Sequence, residues 1–168
     1  MKRLFVFLAV LLFMAASFPL YAGGQLFNKF NQRKPATVDK DLIIRSADIS
    51  EYALFYPVEI DGFKMEVIAV KEPGGAVIRT VFNACIVCYS LGKGYFVQKR
   101  SVVICQQCGE SYTIDSIDTG TDECHPVPIL PENKTESASA ITISREYLRR
   151  AKDWFEILKQ GEEPPWRL

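Results

Sequence analysis

Short apolar runs separated by turn signals fill the chain between residues 42 and 143, and few of them have a helical period. The runs Ala53–Ile60 and Phe63–Val70 flank Asp61-Gly62. Because Asp-Gly between two alternating apolar runs is among the best local signals for a two-residue turn, these runs predict a β-hairpin. The run Ala76–Phe82 follows a breaker cluster rich in Gly and predicts the next strand.

Two further segments complete the predicted β body. Tyr95–Gln98 and Ser101–Ile104 predict a second hairpin that reverses at Lys99-Arg100. Three prolines follow residue 124, namely Pro126, Pro128 and Pro131. Because proline fixes φ and lacks a backbone N–H donor, they predict an extended stretch there. Glu132–Ala140 predicts a polar loop. The predicted fold class is therefore mainly β (α+β), a small antiparallel β domain.

A single amphipathic helix is predicted near the C-terminus. Ser144 is a good N-cap for a helix over Arg145–Lys159, which Gly161 would end. One face of that helix carries apolar residues at helical spacing, namely Tyr147, Ala151, Trp154, Phe155 and Leu158. We interpret this face as packing on the sheet, and a groove for a partner is the alternative.

The N-terminal residues have the three-region pattern of a secretory signal. Lys2 and Arg3 precede a wholly apolar run over Leu4–Ala16, and a site with a small residue follows at Ala22. Cleavage after Ala22 is predicted, although the larger Leu20 also permits an uncleaved signal anchor, which would place the N-terminal segment in the membrane. The body is then exported, either periplasmic or anchored facing the periplasm. The predicted organisation is a signal over 1–22, a linker over 23–40, a cysteine-rich domain over 41–160 and a tail over 161–168.

Composition excludes several functions. The chain has 168 residues, with 20 basic and 20 acidic side chains, so it lacks the basic character of a nucleic-acid binder. Its length is that of one domain, and 48% hydrophobic content is enough to form a core. The chain has one His and no nucleophile-elbow or paired-carboxylate pattern. We therefore expect neither a nucleic-acid partner nor an enzyme.

The five cysteines carry the most specific signal. They form two C-x2-C pairs separated by 16 residues, followed by a single cysteine, at Cys85, Cys88, Cys105, Cys108 and Cys124. Two such pairs predict two cysteine knuckles that together form a four-thiolate metal site. A Gly directly after the second pair can adopt a left-handed conformation and leave backbone N–H groups for the sulfurs.

Spacing alone does not identify the metal, because tetrahedral sulfur ligation serves both zinc and iron-sulfur clusters. Cys124 offers a fifth sulfur, whereas a zinc ion takes four ligands at most, so it indicates a larger centre or a redox role. His125 offers a possible nitrogen ligand. The alternatives are a buried or spare thiol at Cys124 and an exposed imidazole at His125. Disulfides are the rival to metal in an exported domain, although an odd number of cysteines leaves one thiol over.

Several of these segments together resemble the FtrD-like family, whose members are membrane-associated, predicted iron-sulfur proteins linked to bacterial ferrous-iron uptake. The resemblance covers Leu42–Ile129 and rests on Val81-Phe82-Asn83-Ala84-Cys85-x2-Cys88, Gly94-Tyr95, Val103-Ile104-Cys105-x2-Cys108-Gly109 and Cys124-His125-Pro126-Val127-Pro128. His125 stands where the family has Asn, and Asp122-Glu123 stands where it has a Gly pair. The resemblance implies all five cysteines as cluster or metal ligands.

Two functions from different classes follow. The first is an exported metal-binding protein of the iron-sulfur type, which carries an electron or handles iron for a membrane redox or metal-transport partner. The second is a structural zinc ribbon whose helix face binds a partner. The leader is typical of the export route for unfolded chains, and a preassembled cluster does not suit that route. The sequence therefore predicts a metal site without naming the cluster.

Overall fold

The computed structural model describes residues 36–75, 77–119 and 124–162. Within them the chain forms three sheets, four single-turn 3-10 helices and one α-helix. The strands are β1 (Thr37–Val38), β2 (Leu42–Arg45), β3 (Leu54–Ile60), β4 (Phe63–Lys71), β5 (Ile78–Cys85), β6 (Phe96–Lys99), β7 (Val102–Cys105), β8 (Ser111–Thr113), β9 (Pro126–Pro128), β10 (Thr135–Glu136) and β11 (Ala140–Ile143). The 3-10 helices are Ser46–Asp48, Tyr89–Leu91, Ile114–Ser116 and Pro131–Asn133, and the α-helix, α1, is Arg145–Lys159. The predicted mainly β fold with a C-terminal helix is confirmed.

The largest sheet has five strands in the order β1-β3-β4-β5-β9, antiparallel except for the β1–β3 pair. The hairpin predicted at Asp61-Gly62 joins β3 to β4, with Ile60 opposite Phe63. Both turn residues have positive φ, 49° at Asp61 and 78° at Gly62, which is the backbone of a type I′ turn. The twist of a type I′ turn matches that of the flanking strands. Because this turn needs positive φ at both central positions, it favours Asp and Gly there.

The first core lies on one face of this sheet. There α1 and the sheet β10-β11-β2 cover alternate residues of the large sheet such as Val67 and Phe82. Ser144 caps the helix by accepting a hydrogen bond from the Tyr147 N–H at 3.1 Å, and Gly161 ends it at φ 81°. The predicted apolar face is buried in this core, with Trp154 only partly covered, so the packing interpretation is confirmed.

The second core lies on the opposite face of the same sheet. There the third sheet, β6-β7-β8, covers Ile68, Val70 and Val81, which alternate along β4 and β5 with the residues of the first core. Three cysteines belong to this second core, namely Cys85, Cys88 and Cys105. The central strands are therefore buried on both faces, and these three cysteines lie on the face of the sheet opposite the helix.

Some element boundaries differ from the expectations. The second hairpin is shifted by one residue, because the chain reverses at Arg100-Ser101 with Arg100 at φ 56°. Pro131 begins a 3-10 turn and Thr135–Glu136 pairs with β11, so the polar loop predicted over Glu132–Ala140 is partly ordered as β structure. Strand β1 lies at the end of the predicted linker and pairs with β3.

The predicted signal over residues 1–22 lies outside the described residues. In the part of the chain that the structure describes, no helix is both long enough and apolar enough to cross a membrane.

The helix cap provides a direct test of the C-terminal packing. We expect Ser144→Ala to lower the free energy of unfolding by about 1 kcal/mol, because the Tyr147 N–H loses its acceptor. Urea denaturation followed by circular dichroism measures the change. Ser101→Ala, at an exposed turn position, is the control. Equal stability of the two variants would contradict the assigned cap.

Candidate metal centre

The first knuckle, Cys85–Cys88, begins where β5 ends. The Cys88 N–H donates to the Cys85 carbonyl at 3.1 Å, which closes the turn. The chain then continues into the 3-10 turn Tyr89–Leu91, and Gly92 ends it at φ 82°. The ring of Tyr89 packs on Phe155 of α1 with ring centroids 5.2 Å apart. The helix therefore supports this knuckle from the side of the first core.

The second knuckle, Cys105–Cys108, begins where β7 ends. The Gly109 N–H donates to the Cys105 carbonyl at 3.0 Å, and the Cys105 N–H donates to the Glu110 carbonyl at 2.9 Å. Gly109 has φ 81°, so the left-handed conformation predicted there is observed. It turns the chain so that the Glu110 N–H donates to the Cys108 sulfur. Backbone donors of this kind stabilise a thiolate ligand.

One dipeptide, Gly94-Tyr95, holds the two knuckles together. The Gly94 carbonyl accepts from the Cys85 N–H at 2.8 Å, and the Tyr95 carbonyl accepts from the Gln106 N–H at 2.9 Å. Gly94 lies directly against the first knuckle, where a Cβ atom would overlap the backbone of Cys88 and Tyr89. A side chain at position 94 would therefore push the first knuckle away from the second.

The sulfurs of Cys85, Cys88, Cys105 and Cys108 all lie within 4.8 Å of one another. Cys108 is exposed and the other three are buried. Four sulfurs around one tetrahedral ion, each at about 2.3 Å from it, would be about 3.8 Å apart. A cluster would hold its ligand sulfurs farther apart, because several iron and sulfide atoms lie between them. The donor set therefore fits a thiophilic metal, and its spacing is close to that around one ion.

Burial and hydrogen bonding have opposite effects on the protonation of these thiols. Burial raises the pKa of Cys85 and raises the pKa of Cys88 to about 12, because a buried thiolate loses its hydration. Burial also acts against ionisation of Cys108, but hydrogen bonds from the Glu110 N–H and from neighbouring thiols outweigh it, so the pKa of Cys108 is lowered. Metal binding must therefore release protons from the buried pair.

Comparison with known proteins agrees with this geometry. The family model described as "Membrane iron-sulfur containing protein FtrD-like" matches residues 49–155, more than half of the chain. The chain belongs to the FtrD-like family. No curated protein and no solved structure matches it. The family description indicates an iron-related protein associated with a membrane, and the four clustered cysteines form a group that could hold a metal ion.

In this FtrD-like protein, strand pairing brings Cys124 to the site. Pro126 of β9 lies opposite Cys85 of β5, beside a register shift between Phe82 and Cys85. The half-buried Cys124 therefore lies next to the first knuckle and packs against the second core, which contains Cys85, Cys88 and Cys105. Burial and the neighbouring Cys108 raise its pKa. The fifth sulfur thus contacts the four-cysteine group without being part of it.

His125 is buried, so the expectation of an exposed imidazole is wrong. Its ring lies against that of Tyr112 on β8, with ring centroids 3.7 Å apart. Burial lowers the pKa of His125. The imidazole is not in the group of ligand atoms formed by the four cysteines. The contact with Tyr112 instead joins β9 to the third sheet, beside Cys124.

A buried polar link behind the site could not be recognised from the sequence pattern. The Asn83 side chain donates to the Glu66 carboxylate at 2.8 Å and accepts from the Phe96 N–H at 2.6 Å. All three residues are at most 4% exposed. Asn83 lies two residues before Cys85 on the same face of β5, so the link connects the large sheet to the strand that leads towards the second knuckle. A lone Asn within an apolar strand is the only sequence signal for it.

The polar link should contribute strongly to stability. We expect Asn83→Ala to lower the free energy of unfolding by about 2 kcal/mol or more, because Glu66 and the Phe96 N–H both lose a buried partner. Asn133→Ala, in the 3-10 turn after Leu130, is the control and should change stability by less than about 0.5 kcal/mol. Chemical denaturation measures both. A similar small effect for both variants would contradict the buried link.

The close approach at Gly94 should control the geometry of the site. We expect Gly94→Ala to weaken Zn²⁺ binding by about 10- to 100-fold, because the new methyl group displaces the first knuckle. Gly92→Ala is the matched control: its Cβ meets open space at φ 82°, so it costs about 1 kcal/mol of stability with little change in affinity. Competition with a chromogenic chelator measures the affinities. Equal losses in the two variants would rule out the steric role of position 94.

Proposed function

We propose that this protein holds one iron ion between Cys85, Cys88, Cys105 and Cys108 and uses it to carry single electrons at a membrane. The observation that carries the proposal is the meeting of four thiols within 4.8 Å at a site with one exposed ligand. The family description, which names an iron-sulfur centre, favours iron over other thiophilic metals. Iron held by thiolates supplies reversible one-electron chemistry.

The spacing of the sulfurs supports a single ion rather than a larger cluster. Two tight turns, each closed by a backbone hydrogen bond, aim two sulfurs at one point. The Gly94-Tyr95 dipeptide holds both turns in place through its two carbonyls. A ligand set held in this way changes little in geometry when the charge of the ion changes, which favours rapid electron transfer.

The exposed side of the site supports contact with a partner. Cys108 is exposed, and two apolar side chains near the first knuckle are also exposed, Val87 by 43% and Leu91 by 63%. An electron carrier needs such an accessible edge, because transfer weakens steeply with distance between centres. The proposed partner is a membrane redox or metal-transport protein. No catalytic residue is part of the proposal.

The location of the site belongs to the same proposal. Lys2 and Arg3 before the apolar run Leu4–Ala16 favour export of the body, and the family description mentions a membrane, which supports this location. We therefore place the domain in the periplasm, either free after cleavage or anchored by its N-terminal segment.

A structural zinc site is the second candidate, and the composition of the second core favours it. That core contains ten buried residues, of which three are cysteines of the site. A core with so many thiols depends on a bound ion for its stability. A structural zinc ion would supply the same stabilisation without redox chemistry.

Metal analysis and spectroscopy distinguish the two candidates. We expect protein purified anaerobically from its native compartment to contain one iron per chain, without sulfide, and to lose its visible absorption reversibly on reduction. Cys105→Ser should lose both the metal and the colour, because a buried ligand of the site is removed. Cys124→Ser is the matched control and should keep the full metal content. Colourless protein with one zinc per chain would refute electron transfer.

A further inference from the structure

The site contains one more sulfur than an ion of tetrahedral geometry can bind. Cys124 lies beside the group because β9 pairs with β5 and because His125 packs on Tyr112. Both contacts come from residues within two positions of Cys124, so they hold the thiol at the site. Cys124 is therefore kept near the ion whether or not it is bound to it.

The surroundings of the four thiols select the ligand that Cys124 can replace. Cys124 packs against the core that contains Cys85, and the sulfurs of Cys85 and Cys108 belong to the same group within 4.8 Å, but these two ligands differ in their exposure. Cys85 is fully buried at the end of β5, and its N–H is bound by the Gly94 carbonyl. Cys108 is exposed at the end of the second knuckle. Of the two thiols, Cys108 is the one that can move away from the ion into solvent.

We propose that Cys124 is an exchangeable ligand that takes the place of Cys108 at the bound metal ion. In the exchange, the Cys124 sulfur forms a bond to the ion, and the Cys108 sulfur leaves. The proton of the Cys124 thiol passes to Cys108, so four thiolates surround the ion before and after. The exchange consumes neither an oxidant nor a reductant. This inference rests on the proposed thiolate metal site and holds for iron and for zinc.

Exchange of this kind gives the metal ion a path into and out of the site. A spare thiol at the site has a high effective concentration, so it captures the ion faster than a ligand from solution could. The exposed side, formed by Cys108 and Cys124, is then where the metal enters from a donor and leaves to an acceptor. The three buried thiols hold the ion during each exchange.

Ligand substitution tests the exchange, with Zn²⁺ as the probe and the reduced full chain as the protein. We expect Cys108→Ser to bind one Zn²⁺ within about tenfold of the wild-type affinity, because Cys124 completes the site. Cys108→Ser/Cys124→Ser should bind at least about 100-fold more weakly. Cys88→Ser is the matched control and should also lose affinity, because Cys88 is a buried ligand of the site. Chelator competition measures the four affinities.

The outcomes separate this inference from the proposed function. If wild-type protein binds metal but Cys108→Ser binds as weakly as the double variant, exchange is refuted and the four-thiolate site stands. If wild-type protein binds neither iron nor zinc, the proposed function fails as well.

A second measurement needs no variant. Zn²⁺-loaded wild-type protein treated with limiting iodoacetamide should carry one alkyl group per chain, divided between Cys108 and Cys124 in the peptide mass spectrum. Alkylation of Cys124 alone would show a fixed ligand set and overturn the inference.

Discussion

Burial of three thiols at the centre of the second core is the constraint on which the metal-binding half of this protein depends. A thiol must lose its proton to hold a metal ion, and burial opposes that charge, as the raised pKa of Cys85 shows. A cation held among the four sulfurs would compensate for the burial of their charge. The third sheet adds only a few large apolar side chains to this core, among them Phe96 and Val103. If the four thiols bind a metal ion as proposed, metal binding and formation of the second core are therefore expected to be coupled.

Strand β5 contributes side chains to both cores. Because successive residues of a strand point to opposite faces, Phe82 and Ala84 face the helix, while Asn83 and Cys85 face the third sheet. The first knuckle is thus the continuation of a strand that is fixed on both sides. Contact of Phe155 with Tyr89 adds a support from the helix just after the knuckle. The C-terminal helix contributes no ligand, but it helps to position the first knuckle.

The local parts of this structure could be predicted from the sequence because their signals are local. Asp61-Gly62 between alternating runs predicts its hairpin, and Ser144 with Gly161 predicts the bounds of the helix. The spacing of two C-x2-C pairs predicts the four-thiol group. In each case the residues that carry the signal are also those that form the feature.

Non-local features could not be predicted in the same way. The proximity of Cys124 to Cys108 depends on the register of β9 against β5, and that pairing joins segments about forty residues apart in the chain. The role of Gly94 depends on a backbone contact that becomes visible only once the knuckle has folded. Burial of His125 likewise follows from Tyr112, which another strand supplies. Such contacts have no period or spacing in the sequence from which they could be inferred.

The uneven burial of the sulfurs separates the possible roles of the centre. A site that only stabilises the fold gains nothing from an exposed ligand, since solvent competes for the ion there. A site that only carries electrons gains from an accessible edge, but a spare thiol beside that edge has no part in the transfer. A site through which metal also passes gains from both, because the exposed ligand can leave while the spare one binds. Cys108 and Cys124 together provide this combination, which is why we propose metal exchange in addition to electron transfer.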